Sequence, residues 1–207
     1  MKVISISGTQ GAGKTTMLAE LKKRGWQVDD YKVSRDVQKS LGWDSLDRVL
    51  DSVDAMLEFQ TTVWEKKFTH DKELAASGSE DDIVLVERSF ADIFSYTKLW
   101  CDKHVGMSEE QKKWFITDYA PVCKLSQVIY SGVVYVPLMK HIKWTNDPNR
   151  ASLEDAEAFN NHATSFIHDM PVEIPRRFIT MKSVKARANQ VEEFLNTIKE
   201  NSDGENR

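Results

Sequence analysis

The residues best equipped for chemistry lie near the start of the chain, where Gly8, Gly13, Lys14 and Thr15 stand at the spacing G-x-x-x-x-G-K-[ST]. Glycines in that pattern let the backbone wrap round a polyphosphate, so that successive N–H groups and the start of the next helix point at the anion. Gly11, Ala12 and Thr16 complete the loop. Lys14 is expected to reach the β- and γ-phosphates of a nucleoside triphosphate and Thr15 to offer its hydroxyl to Mg²⁺. Thr16 is expected in the first helical turn, near the α-phosphate. A second concentration of chemistry is Glu87 and Arg88, which end the apolar run 83–86 abruptly. Glu87 reads as a Mg²⁺ ligand through water or as a base, and Arg88 as a holder of an anionic or polar acceptor. A structural ion pair is the plain alternative for both.

The elements around these residues fit a site at one edge of a sheet. Residues 3–7 read as a buried strand and 16–24 as a helix, the setting the loop pattern requires. Gly25 stops that helix, and 25–31 reads as a second strand ending in Asp29 and Asp30. Residues 33–42 start a further helix with Ser34 as cap. In a parallel sheet, residues just past the second strand face the nucleotide crevice, which makes Asp29, Asp30 and Arg35 candidates for the acceptor site. Either acid could instead cap or solvate a turn.

Residues 45–75 carry apolar positions at helical spacing, with Gln60 on a mixed face, and read as one or two long helices. Ser89 caps the helix after the 83–86 strand. Residues 107–120 read as a helix that Pro121 terminates. A fourth strand covers 132–137, a turn-rich cationic segment 141–150, a helix 152–167, a fifth strand 175–182 and a closing helix 183–199. The segment after the fourth strand is expected to act as a lid at about 138–152, excluding water and bringing Arg150 to the transferring phosphoryl group, with Lys140 and Lys143 as weaker candidates. Lys182, Lys185, Arg187 and Lys199 are expected mostly on the solvated side of the closing helix or near its start.

At 207 residues, with 41% hydrophobic and 29% charged residues and a net charge of −4, the chain has the balance of one soluble domain, 1–200, followed by a flexible polar tail, 201–207. Mild net acidity argues against a nucleic-acid track, although 140–150 and 176–187 carry local basic residues. Two cysteines in no metal-ligand spacing, five unpaired histidines and the lack of a long apolar run point to a reducing cytoplasm with no membrane anchor and no protein-bound zinc. Apolar surface leaves a homodimer face open.

Taken in order, these features resemble the P-loop nucleoside and nucleotide kinases, with the closest likeness to the deoxynucleoside kinase, thymidylate kinase and nicotinamide riboside kinase-like ATPase group. The likeness rests on the loop, the 33–42 segment, Phe59–Gln60, Val86 to Ser89 with Asp92 and Tyr96, and the run 146–150. It implies that Arg88 lies at the acceptor's reacting hydroxyl, that Gln60 meets the acceptor base, and that Asp147 and Arg150 form the Asp-x-x-Arg of a lid. Where the family often carries an acid as acceptor base, this chain has Asp29 and Asp30, which leaves the base open. The implied fold is a three-layer α/β domain with a five-stranded parallel sheet of order 2-3-1-4-5. The implied reaction transfers the γ-phosphoryl of ATP, with Mg²⁺, to a small-molecule (deoxy)nucleoside or its monophosphate. Two alternatives stand beside it: a kinase acting on a hydroxyl of DNA or RNA, and an ATPase switch without acceptor.

Overall fold

In the computed structural model, residues 1–104, 106–139 and 152–205 are described. Strands β1 (Lys2–Ser7), β3 (Ile83–Glu87) and β4 (Gly132–Tyr135) form the centre of a five-stranded sheet, with the short β2 (Gln27–Val28) and β5 (Arg176–Phe178) at its edges. The order is β2-β3-β1-β4-β5 and every pairing is parallel. A parallel sheet needs cover on both faces, and the alternation along β1 turns Ile4 and Ile6 to one face and Val3, Ser5 and Ser7 to the other. Ile4 and Ile6 pack with Met17 and Leu21 of helix α1 (Lys14–Lys23) and with Val191 and Leu195 of α8 (Val184–Glu205). Val3, Val84, Val86 and Val133 pack on the other face with Phe59 of α3 (Val53–Ala76), Phe90 of α4 (Phe90–Lys103) and Phe159 of α7 (Leu153–His168). The remaining helices are α2 (Val33–Ser40), α5 (Glu109–Trp114) and α6 (Ala120–Ser126).

Element types follow the sequence expectation, while several boundaries move. Gly25, at φ 94°, ends α1 as expected. The second and fifth strands shrink to two and three residues, because an edge strand has one ladder neighbour to hold its ends. Ser34 does not cap α2: that place belongs to Lys32, with Ser34 inside the first turn. Residues 45–75 divide into a 3₁₀ turn, Leu46–Leu50, and one helix of 24 residues whose Ser52 cap accepts from the Ala55 N–H at 3.0 Å. Pro121 does not terminate the helix that Ser108 starts. A π-turn over Phe115–Tyr119 is inserted and Pro121 enters the first turn of α6, where it has no hydrogen bond to donate. The closing helix runs past Lys199 to Glu205, into the segment read as a tail.

Candidate functional site

The sheet registers the chemistry before any side chain is considered. Ile6 of β1 lies opposite Glu87 of β3, so both strands release the chain at the same edge, and the Arg88 N–H donates to the Ile6 carbonyl at 2.9 Å. On the other flank, Ser7 pairs with Tyr135 and the Val136 N–H donates to the Ser7 carbonyl at 2.9 Å. The loop after β1 is thereby set between the ends of β3 and β4, at the carboxyl edge where parallel sheets form crevices.

Gly8 stands at φ 141°, and a Cβ there would lie 2.3 Å from the Val136 carbonyl oxygen, so only glycine passes. Its N–H donates to Asp92 Oδ1 at 3.0 Å. The other oxygen of that fully buried carboxylate accepts the Ser89 N–H at 2.8 Å, and the Ser7 and Ser89 hydroxyls are 2.5 Å apart. Asp92 and Ser89 also form the capping box of α4, so one carboxylate serves both the start of that helix and the entry to the loop. Gly13, at φ 88°, turns the chain into α1, and Thr15 and Thr16 open that helix on its exposed side.

Lys14 folds back over the loop. Its ammonium donates to the carbonyls of Gly8 at 2.6 Å and Thr9 at 2.9 Å, and the residue is only 4% exposed. Burial, reinforced by the nearby Arg88 charge, lowers its pKa to about 8. Thr15 Oγ1 lies 3.5 Å from Glu87 Oε1, while Glu87 Oε2 accepts from the Lys32 ammonium at 2.5 Å. Burial works against the Glu87 charge, yet the Lys32 hydrogen bond and the Lys14 and Arg88 charges outweigh it and hold the carboxyl below its usual range. Arg88 is the non-glycine residue with positive φ, 71°, among the described residues. Its guanidinium lies over the Tyr96 ring, 5.0 Å from the centroid. Burial opposes that charge, and Tyr96, Asp92 and Glu87 keep it protonated.

The sequence candidates therefore separate. Lys14, Thr15, Glu87 and Arg88 come together at the carboxyl edge of β1 and β3. Asp29 turns toward α3, where its carboxylate meets His70 Nε2 at 3.1 Å and accepts the Tyr31 N–H at 3.2 Å. Asp30 pairs at 2.6 Å with Lys22 near the end of α1, exposed. Arg35 is exposed on α2, and Gln60 is buried in α3 rather than on its surface. Asp147, Arg150, Lys140 and Lys143, with nearly all of the expected lid, lie outside the described residues.

Two residues of the neighbourhood escaped the sequence reading. Lys32 carried no motif signal. Arg187, expected on a solvated face, is 4% exposed and donates to the Ala12 carbonyl in the loop at 2.8 Å and to the Met181 carbonyl at 2.9 Å. Its spacing to Val191, Leu195 and Ile198 places it on the apolar stripe of α8, a signal that was available.

The sequence model of a family described as AAA domain matches residues 3–187. No sequence match is found among curated proteins. Among solved structures the fold is similar to deoxyadenosine kinase from M. mycoides with products dCMP and a flexible dCDP bound, at a TM-score of 0.68 and 16% identity over 94% of this chain and 99% of that one. The same kinase with bound dATP gives a TM-score of 0.66 and 18% identity over 95% and 100% of the two chains. NadR protein in complex with NR gives 0.64 and 12% over 94% of this chain and 52% of that one. These likenesses establish the P-loop kinase fold. Among the described residues no helix is long and apolar enough to cross a membrane.

Proposed function

We propose that this chain, which belongs to the AAA domain family, is an ATP-dependent phosphotransferase acting on a (deoxy)nucleoside or its monophosphate. The observation that carries the reading is the convergence of Lys14, Thr15, Glu87 and Arg88 at the carboxyl edge of β1 and β3. A loop of backbone N–H groups and a buried lysine suits a triphosphate, and the strand-end pair beside it suits a second reactant. The fold likeness to a deoxyadenosine kinase solved with nucleotides bound points the same way. Thr15 and Glu87 offer oxygen donors to one place, which suits a hard cation, and they would hold Mg²⁺ directly or through water. Bound with the nucleotide, Mg²⁺ supplies neutralising charge to the terminal phosphates. The protein's own share is positioning: the loop holds the donor, Lys14 draws charge toward the β–γ bridge, and Arg88 orients the acceptor. The one domain, 1–200, and the lid at about 138–152 belong to the same proposal, with Arg150 and Asp147 in the lid.

The test is transfer from γ-labelled ATP with Mg²⁺ to two separated pools, one of nucleosides and monophosphates and one of single-stranded and duplex DNA. The expected outcome is label in a small-molecule product, abolished in Lys14→Ala. Label confined to DNA would move the activity to a polymer acceptor, and phosphate release without a labelled acceptor would make the protein an ATPase switch.

A further inference from the structure

We infer that the acceptor presents a phosphate, not a hydroxyl, to the transferred group, and that Lys32 binds it. The inference rests on the kinase reading above and narrows its acceptor to a nucleoside monophosphate.

Three observations carry it. First, both acids that follow β2 are held elsewhere: Asp29 by His70 and the Tyr31 N–H, on the side of α3, and Asp30 by Lys22 at the far end of α1. His70 in turn lines a groove of about 550 Å³ shared with Tyr31, Asp36 and Lys66, between α2 and α3. The side chain that the β2–α2 connection delivers to Glu87 is a cation, Lys32, at 2.5 Å.

Second, the sheet order fixes which reactant this cation faces. The strands run β2-β3-β1, with the phosphate loop after β1 and Glu87 at the end of β3. Glu87 turns one oxygen to Thr15 on the loop side and the other to Lys32, which comes from the β2 side. Lys32 thus stands across Glu87 from the donor site, where the second reactant enters. It is 43% exposed and long enough to leave Glu87 for an incoming anion.

Third, the local charge suits an anion and not proton removal. Lys14, Arg88 and Lys32 surround Glu87 and exceed the negative charge of Glu87 and Asp92. Once the donor's terminal phosphates engage Lys14, Arg88 and Lys32 remain for a second anion. Both Glu87 oxygens are already engaged, one facing the Thr15 hydroxyl and the other accepting from Lys32, so neither is turned to an acceptor hydroxyl.

A phosphate acceptor needs no base. The second ionisation of a phosphate monoester lies near pH ~6, so at neutral pH its oxygen already carries the attacking electron pair. That oxygen forms a bond to the γ-phosphorus as the bond from γ-phosphorus to the bridging oxygen breaks. The electron pair of the broken bond stays on the β-phosphate of the departing ADP. The products are ADP and a nucleoside diphosphate, and no proton has to move.

The experiment runs γ-labelled ATP against four deoxynucleosides and their four 5′-monophosphates in separate reactions, with wild type, Lys32→Gln and Lys32→Arg. Binding of each monophosphate without ATP is measured by calorimetry. The expected result is label in diphosphates, with Lys32→Gln weakening both monophosphate binding and acceptor kcat/KM by about ten- to a hundredfold while the KM for ATP stays put. Lys32→Arg retains most of both. Label entering nucleosides to give monophosphates would overturn the inference and leave the kinase reading intact, as would diphosphate formation indifferent to Lys32→Gln. Label in neither class would overturn the kinase reading itself.

Discussion

At the residue scale, Lys14 shows how a buried charge links nucleotide binding to pH. Its pKa in the folded protein is about 8, against 10.5 for an ordinary lysine, so between those values the unfolded chain binds more protons than the native one. Stability from this group therefore rises with pH from 8 to 10.5, and the penalty of burying the ammonium is present in full below 8. Nucleotide binding has the opposite sign, since a triphosphate favours the charged lysine. ATP affinity should be flat up to pH 8 and then fall by up to about tenfold per pH unit. Lys14→Arg, which keeps its charge, should bind with no such break. Titrating ATP from pH 7 to 9.5 checks this, and a wild-type curve without a break would sink the assignment of Lys14 to the phosphates. Arg88 makes a related point about backbone: at φ 71° it occupies a conformation that costs roughly 1–2 kcal/mol for a residue with a Cβ. The Ile6 hydrogen bond, the Ser89 cap and the Tyr96 ring hold it there.

At the scale of elements, the turn from β3 to α4 is the joint on which both proposed reactant positions depend. Asp92 accepts the N–H of Gly8 with one oxygen and that of Ser89 with the other, both buried. Asp92→Asn keeps the shape but points an NH₂ group at one of those N–H donors. The expected cost is about 1–3 kcal/mol in urea unfolding, together with a raised KM for ATP, because the loop entry loses its tether. A variant with unchanged stability and unchanged KM would show that the tether is dispensable. Beyond this joint, the interrupted helix at 109–126 shows why helix ends are harder to read than helices. Proline is a stop signal in a continuous α-helix, but a π-turn just before Pro121 supplies a fresh first turn in which its missing N–H costs nothing.

At the scale of the whole molecule, the closing helix braces the loop from behind: Arg187 spans 175 residues of sequence to reach the Ala12 carbonyl, and its Nη1 lies 2.9 Å from where a Cβ on Gly13 would stand. Arg187→Met keeps an apolar stem on the α8 stripe and removes the clamp. We expect ATP affinity to drop about tenfold, so that ATP at a hundred times the wild-type Kd, worth about 2.7 kcal/mol of stability to wild type, yields only about 1.4 kcal/mol to the variant. Thermal shifts with and without ATP measure this, and equal shifts in the two proteins would refute it. The sequence alone determined the phosphate loop, the run of strands and helices and the strand-end Glu87–Arg88, because each is written in local spacing: fixed glycines, periods of 2 and 3.6, and charge at the end of an apolar run. What it could not determine was which neighbours each charge meets. Asp29 and Asp30 sit side by side in the chain yet point to α3 and to α1, and Lys32, two residues further on, is the one that reaches Glu87. Arg187 looked like surface and is core. Those outcomes belong to the tertiary structure because a side chain's partners are set by the order and register of the strands that carry it, and pairings between residues tens to hundreds of positions apart leave no mark in local spacing.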